Sequence, residues 1–282
     1  MVELAYLAFV FLAGLVTALA TGVGALPFFV VDSVSDRWNV VLWGLASGIM
    51  VAASLFGLVG EGLAAAEPWT LPVDLGLSPT ARTWLPLVVG LLAGVLLVVL
   101  AHDVIEGAEV DPKQYEEADY RKLLLILGVL TVHSFPEGVA IGVSFAELGL
   151  GNGGIPVVGV TVPLLAVFMT VAISIHNVPE GLAISIPLQA MGVSRWRMVW
   201  WAVFSSLPQP IGAVVAFYFV RIAREFLPVG FGFAAGAMIY LVLSEFIPEA
   251  LDVGEGLPSR GYPELAAGVT AGVLLMVPLT LV

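Results

Sequence analysis

The chain contains no cysteine. Thiolate ligands and disulfides are therefore excluded, and any transition metal must be held through nitrogen and oxygen. Lysine is almost absent: Lys113 and Lys122 stand against eight arginines, and the formal net charge is −12. So acidic a chain offers no broad basic surface, which excludes nucleic acid as a partner. The surplus of acid suits a surface kept hydrated in high salt, as in a halophilic source. Charged residues of either sign make up only 11% of the 282 residues, where a soluble domain carries about 25%. The first residues have no basic segment and no small-residue cleavage site before the apolar run continues. That run reads as a first span rather than a removed signal.

What fills the chain instead is apolar. Hydrophobic residues make up 60% of it and the mean hydropathy is +1.04, which implies an integral membrane protein. A span needs about 20 apolar residues to cross about 30 Å of hydrocarbon. Eight runs meet that need: 4–31, 39–63, 84–102, 122–147, 161–190, 196–220, 229–251 and 263–282. The expected fold is an all-α membrane protein of eight transmembrane helices forming one domain over residues 1–282. Loop charge then orients it. With the N-terminus outside, Arg37, Lys113, Arg121, Lys122, Arg195, Arg197 and Arg260 fall inside, and Arg82, Arg221 and Arg224 fall outside. That excess places both termini outside.

The runs repeat. Shifted by 188 residues, the second meets the seventh, pairing Gly44 with Gly232, Gly48 with Gly236, Met50 with Met238 and Glu61 with Glu249. The same shift aligns Leu19–Ala25 with Leu207–Ala213, and a shift of 178 aligns AGVLL at Ala93 with AGVLL at Ala271. Spans two and seven run in opposite directions, so this is an inverted repeat, the layout typical of secondary transporters. The expected plan is a 3+2+3 bundle. Residues 1–102 form the first repeat, 103–120 an acidic cytoplasmic loop, 121–191 two central helices and 196–282 the second repeat. The loop carries seven acids and one lysine.

The central helices carry two near-identical stretches, His133-Ser134-Phe135-Pro136-Glu137-Gly138 and His176-Asn177-Val178-Pro179-Glu180-Gly181. In each, a His and a Glu stand four residues apart, on one helix face and one turn apart. In each, a proline precedes the Glu and should kink the helix. His133 lies 11 residues past Lys122, about 17 Å along a helix, and His176 lies 15 past Thr161, about 22 Å. Both motifs thus fall near the middle of a bilayer. Two imidazoles and two carboxylates at that depth are costly unless they bind something. A mixed N/O set fits Zn²⁺, Fe²⁺, Mn²⁺ or Co²⁺. Two carboxylates also neutralise a dication, which lowers the cost of holding it at low dielectric.

The paired motifs, the Gly-rich second span and GAMIYLVLSEFIPEA from Gly236 resemble the signature of the ZIP (Zrt/Irt-like) metal transporters, in a prokaryotic form, over nearly the whole chain. The resemblance implies eight spans, both termini outside, and import of Zn²⁺ or a related ion (Fe²⁺, Mn²⁺, Cd²⁺ or Co²⁺) into the cytoplasm by alternating access. It maps a metal site onto His133, Glu137, His176 and Glu180. In many members a second ion shares the two glutamates, with further ligands at the places held here by Ser134, Asn177 and Gln209. Of these only Asn177 is a typical ligand, so one strong site and a weak or missing second are expected. His102, Asp103 and Glu245 resemble positions on the exit path. Met50 and Met238 read as bundle filler, and Glu61 as a residue of the outer mouth. Partners are then the cell membrane's lipid bilayer and divalent metal ions, with metal as cargo and no catalytic cofactor; a homodimer is allowed. Two other readings share the ligands, an intramembrane metal-dependent hydrolase and a metal channel. Against the hydrolase, the chain has no HExxH and no separate general base.

Overall fold

The computed structural model of the protein describes residues 4–66, 76, 78–106, 117–150 and 154–278. In hydrocarbon every backbone N–H and C=O must be bonded within the segment, so apolar runs become helices. The chain forms α1 (Leu4–Val23), α2 (Asp36–Ala52), α3 (Gly60–Ala64), α4 (Pro79–Glu106), α5 (Glu117–Ser144), α6 (Leu164–Ala190), α7 (Arg195–Ser205), α8 (Pro208–Ile222), α9 (Leu227–Leu241), α10 (Ile247–Val253) and α11 (Tyr262–Leu275). Among the described residues, six continuous helical stretches are long and apolar enough to cross a membrane: Leu4–Val23, Asp36–Ala64, Pro79–Val104, Leu164–Gln189, Arg195–Ile222 and Arg224–Gly256. The protein is an α-helical membrane protein with multiple membrane-crossing helices. Most of the expected acidic loop lies outside the described residues.

Several boundaries differ from expectation for identifiable reasons. The apolar run from 161 does not begin as helix. Ile155–Val157 and Val160–Val162 form a short antiparallel hairpin, β1 and β2, which turns through Val158 and Gly159 at positive φ. This hairpin is an exception to the all-α expectation. The sixth run is broken after Ser205, because Pro208 and Pro210 open the next helix and a proline has no N–H to continue the preceding one. The second and seventh runs each pass through a π-helical segment, Ala53–Val59 and Val242–Phe246. Such segments insert an extra residue into the turn and re-aim the side chains around it. By contrast, α5 stays helical through Pro136, and α6 through Pro179 and Pro187.

Glycine sets how these helices cross. Helix α11 lies along α2 and α4 along α9. At the first crossing a Cβ on Gly44 or Gly48 would strike the carbonyl oxygen of Leu265 or Val269. At the second, a Cβ on Gly232 or Gly236 would strike that of Leu87 or Leu91. The two glycine pairs are 188 residues apart in sequence and the carbonyls they meet are 178 apart. Small residues of this kind let membrane helices approach backbone to backbone. Likewise α5 packs on α8 and α6 on α1, with Gly138 against the Gln209 carbonyl and Gly181 against the Thr21 carbonyl. These contacts bring the polar faces of α1, α5, α6 and α8 together in the middle of the bundle.

Candidate metal centre

Six polar side chains at that meeting point are buried to 2% exposure or less: His133 and Glu137 on α5, His176, Asn177 and Glu180 on α6, and Gln209 on α8. Each His–Glu pair spans one helical turn, as its spacing requires. The helices bring three of the four expected ligands together. Donor atoms of Glu137, His176 and Glu180 all lie within 4.8 Å of one another. His176 Nε2 is 3.2 Å from Glu137 Oε1 and 3.5 Å from Glu180 Oε1. Donors bound about 2.0–2.2 Å from a tetrahedral Zn²⁺ stand roughly 3.3–3.6 Å apart. The observed spacing therefore suits one ion held by one nitrogen and two oxygens. One oxygen of Glu180 has no hydrogen-bond partner among the described residues, and neither does His176 Nδ1.

His133 stands outside this set. Its ring lies 6.2 Å from that of His102, and its Nδ1 has no partner among the described residues. It shares a small pocket with Glu137, Pro136, Val98 and Met238. His102 in turn meets Glu245, with Nε2 2.6 Å from Oε1, and both side chains are partly exposed. Asp103 is exposed beside them, as is Glu61 elsewhere on the surface. Ser134 is buried next to His133.

Gln209 and Asn177 have been drawn into a hydrogen-bond network. Gln209 Nε2 donates to Glu137 Oε2 at 2.5 Å. Its Oε1 accepts from Thr17 Oγ1 at 2.6 Å and from Asn177 Nδ2 at 3.1 Å. Glu137 thus offers Oε1 to the His176 side and spends Oε2 on an amide. Two participants escape a reading of the sequence. Thr17 is one uncharged residue in an apolar run. Phe246 stacks on the His176 ring at 5.3 Å and 18°, with Trp43 edge-on behind it at 4.8 Å. The only sequence signal for Phe246 is its place beside Glu245 in SEFIPEA.

These features define a polytopic helical membrane protein with a buried cluster of two carboxylates and an imidazole that could hold a metal ion between two helices. Residues 157–280 match the family described as ZIP Zinc transporter. The chain is 33% identical over 244 residues to zinc transporter GufA of Myxococcus xanthus, covering 84% of this chain and 88% of that one. It is 35% identical over 264 residues to zinc transporter ZIPB of Bordetella bronchiseptica, covering 91% and 75%. A longer relative in Arabidopsis thaliana is 37% identical over 264 residues, which is 93% of this chain but 37% of that protein's length. The chain belongs to the ZIP zinc transporter family.

Proposed function

We propose that the protein carries divalent transition-metal ions, Zn²⁺ foremost, across the cell membrane into the cytoplasm. The observation that carries this reading is the convergence of His176, Glu137 and Glu180 on one buried point between α5 and α6. A mixed N/O set of net charge −2 suits Zn²⁺, and Fe²⁺, Mn²⁺, Co²⁺ or Cd²⁺ as competitors. The relatives' names as zinc transporters favour Zn²⁺ among them. The centre holds one ion. Where a second would need charge beside Glu137, Gln209 presents a neutral amide.

In this reading the helices make eight spans. Helix α2 with α3, α7 with α8, and α9 with α10 count as single crossings, and both termini lie outside. Spans 1–3 and 6–8 form an inverted repeat around α5 and α6. The paired glycine crossings at offsets of 188 and 178, and the π segments at matching places in α2 and α9, support it. Such repeats rock against each other around a midplane site, giving alternating access. An ion released from His176 would pass His133 and then His102 and Glu245, which form a line of donors towards the inner end of α4. Both glutamates and His176 face the ion itself, and the relatives' names as zinc transporters weigh against a hydrolase. The test is metal uptake into proteoliposomes with Zn²⁺, Fe²⁺, Mn²⁺ and Cd²⁺ in competition. Saturable uptake that is lost in His176→Ala and Glu180→Ala is expected. Unchanged uptake in both variants would overturn the reading.

A further inference from the structure

Between Leu4 and Val31 the first apolar run has no carboxylate and no imidazole. By composition it is a lipid-facing span. Yet Thr17, fully buried midway along α1, touches both amide side chains of the metal centre. Its hydroxyl lies 2.6 Å from Gln209 Oε1, and its backbone carbonyl accepts from Asn177 Nδ2 at 2.7 Å. The same Asn177 Nδ2 also reaches Gln209 Oε1, at 3.1 Å.

The logic of the network is one of donors and acceptors. A side-chain amide has one oxygen with two lone pairs and one NH₂. Asn177 Nδ2, fixed as a donor by the Thr17 carbonyl, requires the end of Gln209 that it meets to be the oxygen, and the Thr17 hydroxyl can donate to that same atom. The Gln209 NH₂ is then turned to Glu137 Oε2, where a carboxylate accepts it in a charge-assisted bond. Reversing the amide would set its oxygen against that carboxylate oxygen and its NH₂ against Asn177. The Thr17 hydroxyl also lies 2.8 Å from the Gly14 carbonyl one turn back, so its single hydrogen is shared between that carbonyl and Gln209 Oε1. Helix α1 packs closely on the start of α8 there: a Cβ on Gly14 would lie 2.7 Å from the Cα of Pro210.

We propose that Thr17 is a positioning residue of the metal centre. Its hydroxyl and carbonyl orient Gln209 and Asn177 so that an amide, not a second cation, occupies the outer oxygen of Glu137. Glu137 then turns a single oxygen to the ion. This rests on the one-ion reading above and names the contact that enforces it.

The test compares Thr17→Val, which keeps the shape and removes the hydroxyl, with Thr17→Ser, which keeps the hydroxyl. Thr17→Ala serves in place of Thr17→Val if that variant does not fold. Each is purified, checked for unchanged thermal stability and titrated with Zn²⁺ alone. Loss of one buried hydrogen bond to a group that orients a ligand should weaken the tight site roughly five- to tenfold. Thr17→Ser should stay within about twofold of the parent protein. In a Gln209→Glu background the amide that the Thr17 hydroxyl meets is gone, and Thr17→Val, which keeps the backbone carbonyl that holds Asn177, should add little. Equal affinity in Thr17→Val and the parent protein would overturn the proposal, and so would an equal loss with and without Gln209→Glu. Failure of the underlying reading looks different: His176→Ala would then bind Zn²⁺ as the parent protein does, whatever stands at position 17.

Discussion

The two central motifs are nearly the same in sequence and differ in what surrounds them. On α6, His176 closes on both glutamates, backed by Phe246 and Trp43. On α5, His133 turns away from the cluster towards His102. In each motif the Glu follows the His by one turn, and an antiparallel pairing of the two helices would by itself treat both motifs alike. The contrast comes from unlike neighbours, Phe246 stacked on His176 and His102 beside His133. In the site proposed here one imidazole, that of His176, completes the ligand set. The other is left as the next donor along α5 in the inward direction proposed here. Under the proposed function these near-identical motifs take different tasks, one of holding and one of passing on.

That contrast is open to attack. The largest effect should come from the shared centre. Glu137→Ala, Glu180→Ala and His176→Ala each remove a proposed direct ligand. Since altering mere supports of a metal ligand costs about 10–100-fold in affinity or activity, each should cost at least as much. Uptake into proteoliposomes and Zn²⁺ titration should fall together. His133→Ala should behave otherwise. Binding should stay within a few-fold, while maximal uptake falls by roughly tenfold, a loss like that from disturbing a metal ligand's support. If His133→Ala loses affinity as completely as His176→Ala does, the proposed division of labour is wrong.

Phe246→Leu sharpens the comparison on the α6 side. The stacked ring is worth about 0.5–1.5 kcal/mol beyond its buried area, so its loss should weaken Zn²⁺ binding by about two- to tenfold and leave insertion intact. A titration showing no change would mean that packing elsewhere holds His176 in place. The smallest effect is expected for Ser134→Asn, which gives the first motif the Asn that follows the His in the second. With Glu137 Oε2 already bonded to Gln209, one added amide should leave the core stoichiometry at one Zn²⁺ and alter uptake by less than about twofold, as most substitutions that break no named interaction do. A second tight equivalent in that variant would show that Ser134, rather than the Gln209 network, limits the site to one ion.

How much of this was legible beforehand depends on how local each feature is. The membrane class followed from composition. The one-turn pairing of His133 with Glu137 and of His176 with Glu180 followed from helix geometry, which needs only five consecutive residues. The glycines that meet carbonyls across α2 and α11, and across α4 and α9, stood out as a sequence repeat before any contact was known. The β1–β2 hairpin and the break before Pro208 were missed, because apolar runs mask turn signals inside them.

The sequence by itself determined that the chain lives in a membrane and carries two His–Glu pairs on helix faces. It also determined that no thiolate and no carboxylate at position 209 would join them. These are matters of residue chemistry and short-range period. Only the tertiary structure decided that His176 and not His133 joins the two glutamates, that the Gln209 amide faces Glu137, and that Thr17 and Phe246 hold the ligands' neighbours in place. Those outcomes depend on how each helix is rotated about its own axis. That rotation is set by the packing of all its neighbours at once, which no single stretch of sequence contains.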